Sequence, residues 1–303
     1  MAEITAAVVG KLREMTNAGL MDCKRALKEA NGDLNAAVDI LRKTGAATAA
    51  RKASREAKEG VVTQCILPGS RIGVLVEINC ETDFVAKNET FRAFCDEIAR
   101  KLANDPKADP EADRVAAVSK IGENIKISRH QRLEVSGNGM IAAYIHTGAK
   151  VGVLVEVGAG RESTVAHDAF KQLVRDITLQ ITAAQPIAVS RDQVDPVIVA
   201  KEREIAAEQV KNKPPQAIAK IVEGKLDKFF QSHCLLDQGF VKKNSEVTVR
   251  EHVAGVAKQL GDEITIRRFI RFQVFTLALT LTLSPGRGNC TAPLLSTALR
   301  CLI

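Results

Sequence analysis

The sequence predicts an α+β protein: a three-helix N-terminal module, a core of two repeated α/β subdomains with small antiparallel sheets, and an inserted antiparallel pair of helices. Three observations predict it. Apolar residues recur at helical spacing between residues 4 and 43. A strand–turn–strand–loop–helix pattern occurs twice, 79 residues apart. The second copy is interrupted by sixty extra residues with the character of two helices.

The N-terminal helices come first. Ile4, Val8 and Leu12 lie four apart, on one helical face. A turn follows at Thr16-Asn17-Ala18-Gly19. A second helix, from Met21 to Ala30, stops at Asn31-Gly32. Asp33 can cap a third, in which Leu34, Ala37, Val38 and Leu41 follow the i, i+3, i+4, i+7 pattern. Thr44-Gly45 is read as its end, so residues 1–45 form one domain. Residues 46–59, Ala-rich and then charged, read as a solvated helix or linker.

The repeat organises the rest. Gly60-Val61-Val62 matches Gly139-Met140-Ile141, and Arg71 to Glu77 matches Lys150 to Glu156. Phe91, Phe94 and Ile98 match Phe170, Leu173 and Ile177. All of these pairs are 79 residues apart. Pro68-Gly69 and Thr147-Gly148 supply the tight turns. Further on, Ile121-Gly122-Glu123 through Val135 matches Leu260-Gly261-Asp262 through Val274 at a spacing of 139. The first core subdomain is therefore 60–138 and the second 139–274, each closing in a strand. The sixty-residue difference places an insertion before that last strand. Helical stretches at roughly 193–211 and 215–230, split by Lys213-Pro214-Pro215, predict a projecting hairpin at about 193–230.

Residues 275–303 have no counterpart in the repeat and contain no Asp or Glu. The alternation of apolar positions changes phase at the seam, which would turn the apolar face to the other side of a strand. The tail reads as foreign to the design, with an extra edge strand as the other reading.

Composition narrows the function classes. Trp is absent and Tyr occurs once, which argues against stacking surfaces for single-stranded nucleic acid. A net charge of +7 permits an acidic or nucleic-acid partner and selects neither. Seven scattered cysteines without C-x-x-C spacing, and a start at Met1-Ala2-Glu3 lacking a secretory signal, point to reduced thiols in the cytoplasm. No apolar run is long enough for a membrane span. Neither P-loop nor dinucleotide-binding patterns occur, so direct nucleotide binding is not expected. Cys80 has no neighbouring His to activate it, and the five His show no metal-ligand spacing. No catalytic residue, metal or cofactor is predicted.

The two copies differ most in the loop after their second strand. Copy one reads Asn79-Cys80-Glu81-Thr82-Asp83-Phe84-Val85; copy two reads Gly158-Ala159-Gly160-Arg161-Glu162-Ser163-Thr164. Phe84 in a polar loop either folds back onto its own core or anchors in a partner pocket. Local sequence leans to the first. His146, in the turn where copy one has Leu67, is a second interface candidate, with a simple surface His as the other reading.

Two long segments resemble elongation factor Ts. Leu12-Arg13-Glu14-Met15-Thr16-Asn17-Ala18-Gly19-Leu20-Met21-Asp22-Cys23-Lys24-Arg25-Ala26-Leu27 is similar to that family's first signature, and Asn79 to Lys87 to its second. Ile121–Ile125, Ile221–Lys228 and Cys234–Val241 are similar to further family segments, and the resemblance covers about 2–274. It implies a ubiquitin-associated-like three-helix domain, a bipartite core and an antiparallel coiled-coil hairpin. It also implies an exchange factor that binds elongation factor Tu, GDP-bound and nucleotide-free, and accelerates GDP release. Arg13, Leu20 and Met21 would dock the N-terminal domain. Thr82, Asp83, Phe84 and Val85 would enter near the nucleotide and disturb its Mg²⁺, and His146 would grip another domain of the partner. Membrane and DNA binding are not expected, and a homodimer or a heterotetramer with elongation factor Tu stays open. Asn17 stands where the family usually has Gly and Leu20 where Met is common. Gln238-Gly239-Phe240 replaces a usual Gln-Pro-Phe, a change expected to loosen that turn. The alternatives are an adaptor for ubiquitin-like or peptide ligands, against which the bipartite core argues, and a basic RNA-binding protein, which steep salt dependence would reveal.

Overall fold

The computed structural model describes residues 4–16 and 18–274. The tail at 275–303 and Asn17 lie outside the described residues. Helix α1 (Ala6–Thr16) and α2 (Leu20–Glu29) pack with α3 (Leu34–Lys52) around Leu12, Cys23, Ala26, Leu27 and Ala37. Asp33 caps α3 by accepting from the backbone N–H of Asn35 and of Ala36, at 2.8 and 3.1 Å.

Helix α3 does not stop at Thr44-Gly45; it runs to Lys52. A Cβ on Gly45 would sit 2.9 Å from the Ser119 hydroxyl of α6 (Glu111–Ile121). The glycine permits close helix approach and is not a terminator. Ala49, one turn on, is buried in the core of the following subdomain. Half of the expected linker, residues 46–52, is thus the end of α3.

Strands β1 (Glu59–Ile66), β2 (Ile72–Cys80) and β3 (Lys126–Glu134) form an antiparallel sheet in that order. Between β2 and β3 lie α4 (Asp83–Lys87), α5 (Glu89–Asn104) and α6. The second sheet is β4 (Gly139–Ile145), β5 (Val151–Ala159) and β6 (Ile264–Gln273). There α7 (Glu162–Ala166) and α8 (Asp168–Ala184) follow β5, and α11 (Val249–Leu260) precedes β6. The 79-residue spacing holds in the registers: Val61 pairs Ile78 and Met140 pairs Val157. It also holds in the bulges, at Glu77/Ile78 and Glu156/Val157. Gly60 and Gly139, at φ 146° and 153°, open the two copies; a Cβ there would meet the Ile78 or Val157 carbonyl oxygen at 2.2 or 2.5 Å. Helix α5 covers its sheet with Phe91, Cys95 and Ile98, and α8 with Phe170, Val174 and Ile177.

The two sheets also pack on each other. Val62, Leu75, Leu133 and Val135 of the first subdomain meet Ile141, Leu154, Phe272 and Val274 of the second. Each of these eight residues has its repeat-mate among them. Its cross-links are reciprocal as well: Val62 N–H donates to Ala149 O, and Ile141 N–H to Ser70 O, both at 2.7 Å. The seam is an approximate two-fold axis inside one chain. Gly73 and Gly152 lie on it with no room for a side chain.

Helices α9 (Pro196–Glu208) and α10 (Pro215–His233) make up the insertion and bury Ala206, Val222 and Leu226 against each other. After it, α11 (Val249–Leu260) leads into β6. The Gln238-Gly239-Phe240 turn is pinned, not loose. Buried Gln238 donates through Nε2 to the carbonyls of Ala184 and Ser232, and Gln180 Nε2 donates to Gly239 O.

Glu156, in the central strand β5 and on the same face as Leu154, is almost fully buried. It accepts from Arg267 at 3.0 Å and Arg268 at 2.7 Å. Burial alone would raise its pKa; the two guanidinium groups outweigh burial and hold it below the ordinary carboxylate value. A carboxyl depressed in the folded state stabilises the fold above its unfolded pKa and loses that contribution as pH falls through its folded one. Glu156→Gln should therefore melt lower than wild type at neutral pH, and the gap should narrow in acid. A constant gap across the titration would contradict the pairing.

Candidate functional site

The divergent segment after β2 is a short helix, not a loop. Strand β2 ends at buried Cys80, whose Sγ donates to Thr82 O at 3.2 Å. Thr82 is extended and caps α4, its Oγ1 accepting from Val85 N–H at 3.3 Å. Glu123, placed just past the left-handed Gly122 that ends α6, holds the entry from below. Its carboxylate accepts from Glu81 N–H and Thr82 N–H, both at 3.0 Å, and from the Thr82 hydroxyl at 2.6 Å. In return, Asn124 N–H donates to the Glu81 carboxylate at 2.6 Å.

This cradle decides which way the side chains face. Ala86 is buried, and Val85 packs on the core of the first subdomain. Phe84 faces the other way and is 81% exposed, the most exposed large apolar side chain among the described residues. The reading in which it folds back onto the core is therefore overturned. Val85 and Ala86 follow Phe84 directly, and the rotation of about 100° per residue around the helix carries them to the inward side. Asp83 is half-exposed and pairs with Lys87 at 2.7 Å, four residues on. The hydrogen bond from Lys87 holds its carboxyl below the ordinary range. Burial pushes the Cys80 thiol up to about 12, so beneath this helix it stays protonated and unreactive.

The second copy builds the same cradle with other cargo. Asp262, the repeat-mate of Glu123, accepts from Arg161 N–H at 2.9 Å and from the Thr164 hydroxyl. Helix α7 then presents Ser163 where α4 presents Phe84.

Arg13, Leu20 and Met21 gather where α1 meets α2, Leu20 and Met21 being 52% and 72% exposed. Met15 joins them at 55%, a residue that helical spacing did not single out as exposed. Three residues past Leu12, it falls on the same helical face as Ile4, Val8 and Leu12, so spacing gave no signal of its exposure. His146 is exposed in the β4–β5 turn, its Nδ1 3.3 Å from the Tyr144 hydroxyl. Among the described residues, no recorded hydrogen bond or ion pair links these three groups to one another. Thr82 and Val85 serve the scaffold, so of the four predicted residues Thr82 to Val85 it is Phe84 and Asp83 that face outward, beside exposed Lys87.

A sequence model of elongation factor Ts matches residues 81–276, a span that opens at this helix. The chain is similar to elongation factor Ts of Symbiobacterium thermophilum, with 45% identity over 282 residues, covering 90% of this chain and 92% of the relative. It is similar to that of Clostridium novyi, with 40% identity over 288 residues, covering 89% and 92%. The chain belongs to the elongation factor Ts family. A third elongation factor Ts, from Nitratidesulfovibrio vulgaris strain DP4, is 38% identical over 275 residues and is covered to 96% of its length. The likeness to elongation factor Ts therefore spans both subdomains and the inserted helices. No helix among the described residues is long and apolar enough to cross a membrane.

Proposed function

We propose that this chain binds elongation factor Tu in the cytoplasm and speeds the release of its GDP, with Phe84 and Asp83 acting at the release step. The observation that carries the reading is the asymmetric cradle: two matching scaffolds, of which one holds out an exposed aromatic ring. The ubiquitin-associated-like module docks through Arg13, Leu20 and Met21, and the second subdomain through the turn bearing His146. The α9–α10 pair is a coiled-coil hairpin that tunes affinity. Docking at those surfaces positions α4 against the nucleotide site.

Release by this route needs no covalent chemistry and no cofactor. GDP is held largely by phosphate contacts and Mg²⁺. A ring wedged beside that site, with a carboxylate competing for the groups around the metal, lowers the affinity for GDP. Linkage requires that GDP lower the affinity for this chain by the same factor. A ring held on a preorganised helix loses little freedom on binding, which is the physical use of the Glu123 cradle.

The direct test is stopped-flow release of a fluorescent GDP analogue from elongation factor Tu, with and without the chain. Glu123→Ala tests the cradle in the same assay. It strips one carboxylate from two backbone N–H groups and a hydroxyl, and should cost about 1–3 kcal/mol of stability. Release should slow severalfold, because α4 no longer holds the ring in place. Release at the wild-type rate by a destabilised Glu123→Ala protein would show that the cradle matters to folding alone.

A further inference from the structure

The repeat supplies an internal control for a second site, on the other subdomain. Arg132 of β3 and Arg271 of β6 are repeat-mates. Arg132 is fully matched: Nε donates to Ala103 O at 3.2 Å, and Nη1 pairs with the Glu134 carboxylate at 2.9 Å. Arg271 has lost both partners. Its Nε is buried and makes no hydrogen bond. Its Nη1 meets only the neutral Gln273, at 3.0 Å, because Gln273 stands where copy one has Glu134. Among the described residues no carboxylate lies within ion-pair distance of it. Burial without an acid nearby pulls its pKa down, yet a guanidinium stays charged.

This charge lines a cleft of about 420 Å³ between β6, the end of α8 and residues 240–242, with His146 at its rim. The other fixed charges there cancel: Lys242 pairs with Asp176 at 2.6 Å. Leu179, Ala183 and half-exposed Val241 give it apolar walls. Residues 275–303 contain no Asp or Glu, so the tail has no side-chain carboxylate to offer.

We propose that this cleft seats one carboxylate side chain of the bound protein partner, anchored by Arg271. One uncancelled guanidinium between apolar walls suits one carboxylate; a nucleic-acid backbone would call for a row of exposed cations. The proposal rests on the reading of elongation factor Tu as that partner.

The decisive variants are Arg271→Gln and Gln273→Glu in the full chain. Gln273→Glu rebuilds the Arg132–Glu134 arrangement and neutralises Arg271 internally. It should melt no lower than wild type, yet bind nucleotide-free elongation factor Tu about tenfold more weakly or worse, and Arg271→Gln should do the same. Titration calorimetry reads the affinity and thermal melts read the fold. If Arg271→Gln misfolds, Gln273→Glu alone decides. Wild-type affinity in Gln273→Glu overturns the proposal and leaves the partner reading intact. Absence of binding by wild type overturns both. Self-association that sedimentation shows to depend on Arg271 would overturn it in favour of a second copy of this chain.

Discussion

Phe84→Ala leaves the melting temperature of the free protein nearly unchanged and slows GDP release about 30-fold, the rate equivalent of about 2 kcal/mol. The two halves of this expectation come from different facts. Stability is spared because the ring is 81% exposed, so its removal opens no cavity. A buried ring such as Phe91, in the first turn of α5, would cost about 3–5 kcal/mol on the same truncation. Release suffers because α4 presents no other large apolar group outward. Asp83→Ala should slow release less, since Asp83 shares its carboxylate with Lys87. Wild-type release with both variants would remove α4 from the mechanism. A fall of many degrees in melting temperature for Phe84→Ala would mean that the ring is buried in solution.

Gly152→Val produces the opposite pattern, a loss of about 1–3 kcal/mol in stability with no direct effect on any outward-facing residue of the site. A Cβ at Gly152 would lie 2.5 Å from Val62 Cγ1, 2.8 Å from Ile145 Cδ1 and 3.0 Å from Leu75 Cδ1. Two of those neighbours belong to the opposite sheet, so relief requires the sheets to part. Gly73→Val should do likewise, because Gly73 faces Ile141 and Leu154 across the same seam. Gly224→Ala is the control. A Cβ there meets nothing within 4 Å, and in the middle of α10 an alanine should stabilise slightly. Denaturant midpoints of the three variants separate crowding at the seam from any general effect of replacing glycine. An unchanged midpoint for Gly152→Val would mean that the sheets are not packed as described.

Much of the architecture was legible because the chain states it twice. The matched runs at Arg71 and Lys150 marked the second strand of each copy, and the structure then gives the two copies equivalent registers. What stayed hidden was short or double-purposed. Helix α4 spans five residues, too few for apolar periodicity to show. Gly45 looked like a helix stop because glycine both ends helices and lets them touch, and only the place of Ser119 distinguishes the two. Glu123 and Asp262 were visible as matching acids but served only to mark register. Their grip on the backbone N–H groups of another segment is a long-range contact that local sequence does not encode. The exposure of Phe84 belongs to the same class, because the cradle sets it.

The reciprocal seam between the sheets has a consequence for counting. An arrangement of this kind made from two separate chains would be a symmetric dimer, carrying two identical rings and two identical cradles. Joined into one chain, the halves are free to differ. One keeps Phe84; the other carries Ser163, takes in the α9–α10 insertion and leaves Arg271 unmatched. Among the described residues each chain thus holds out one ring on such a cradle, and in the proposed mechanism one chain would serve one nucleotide site at a time.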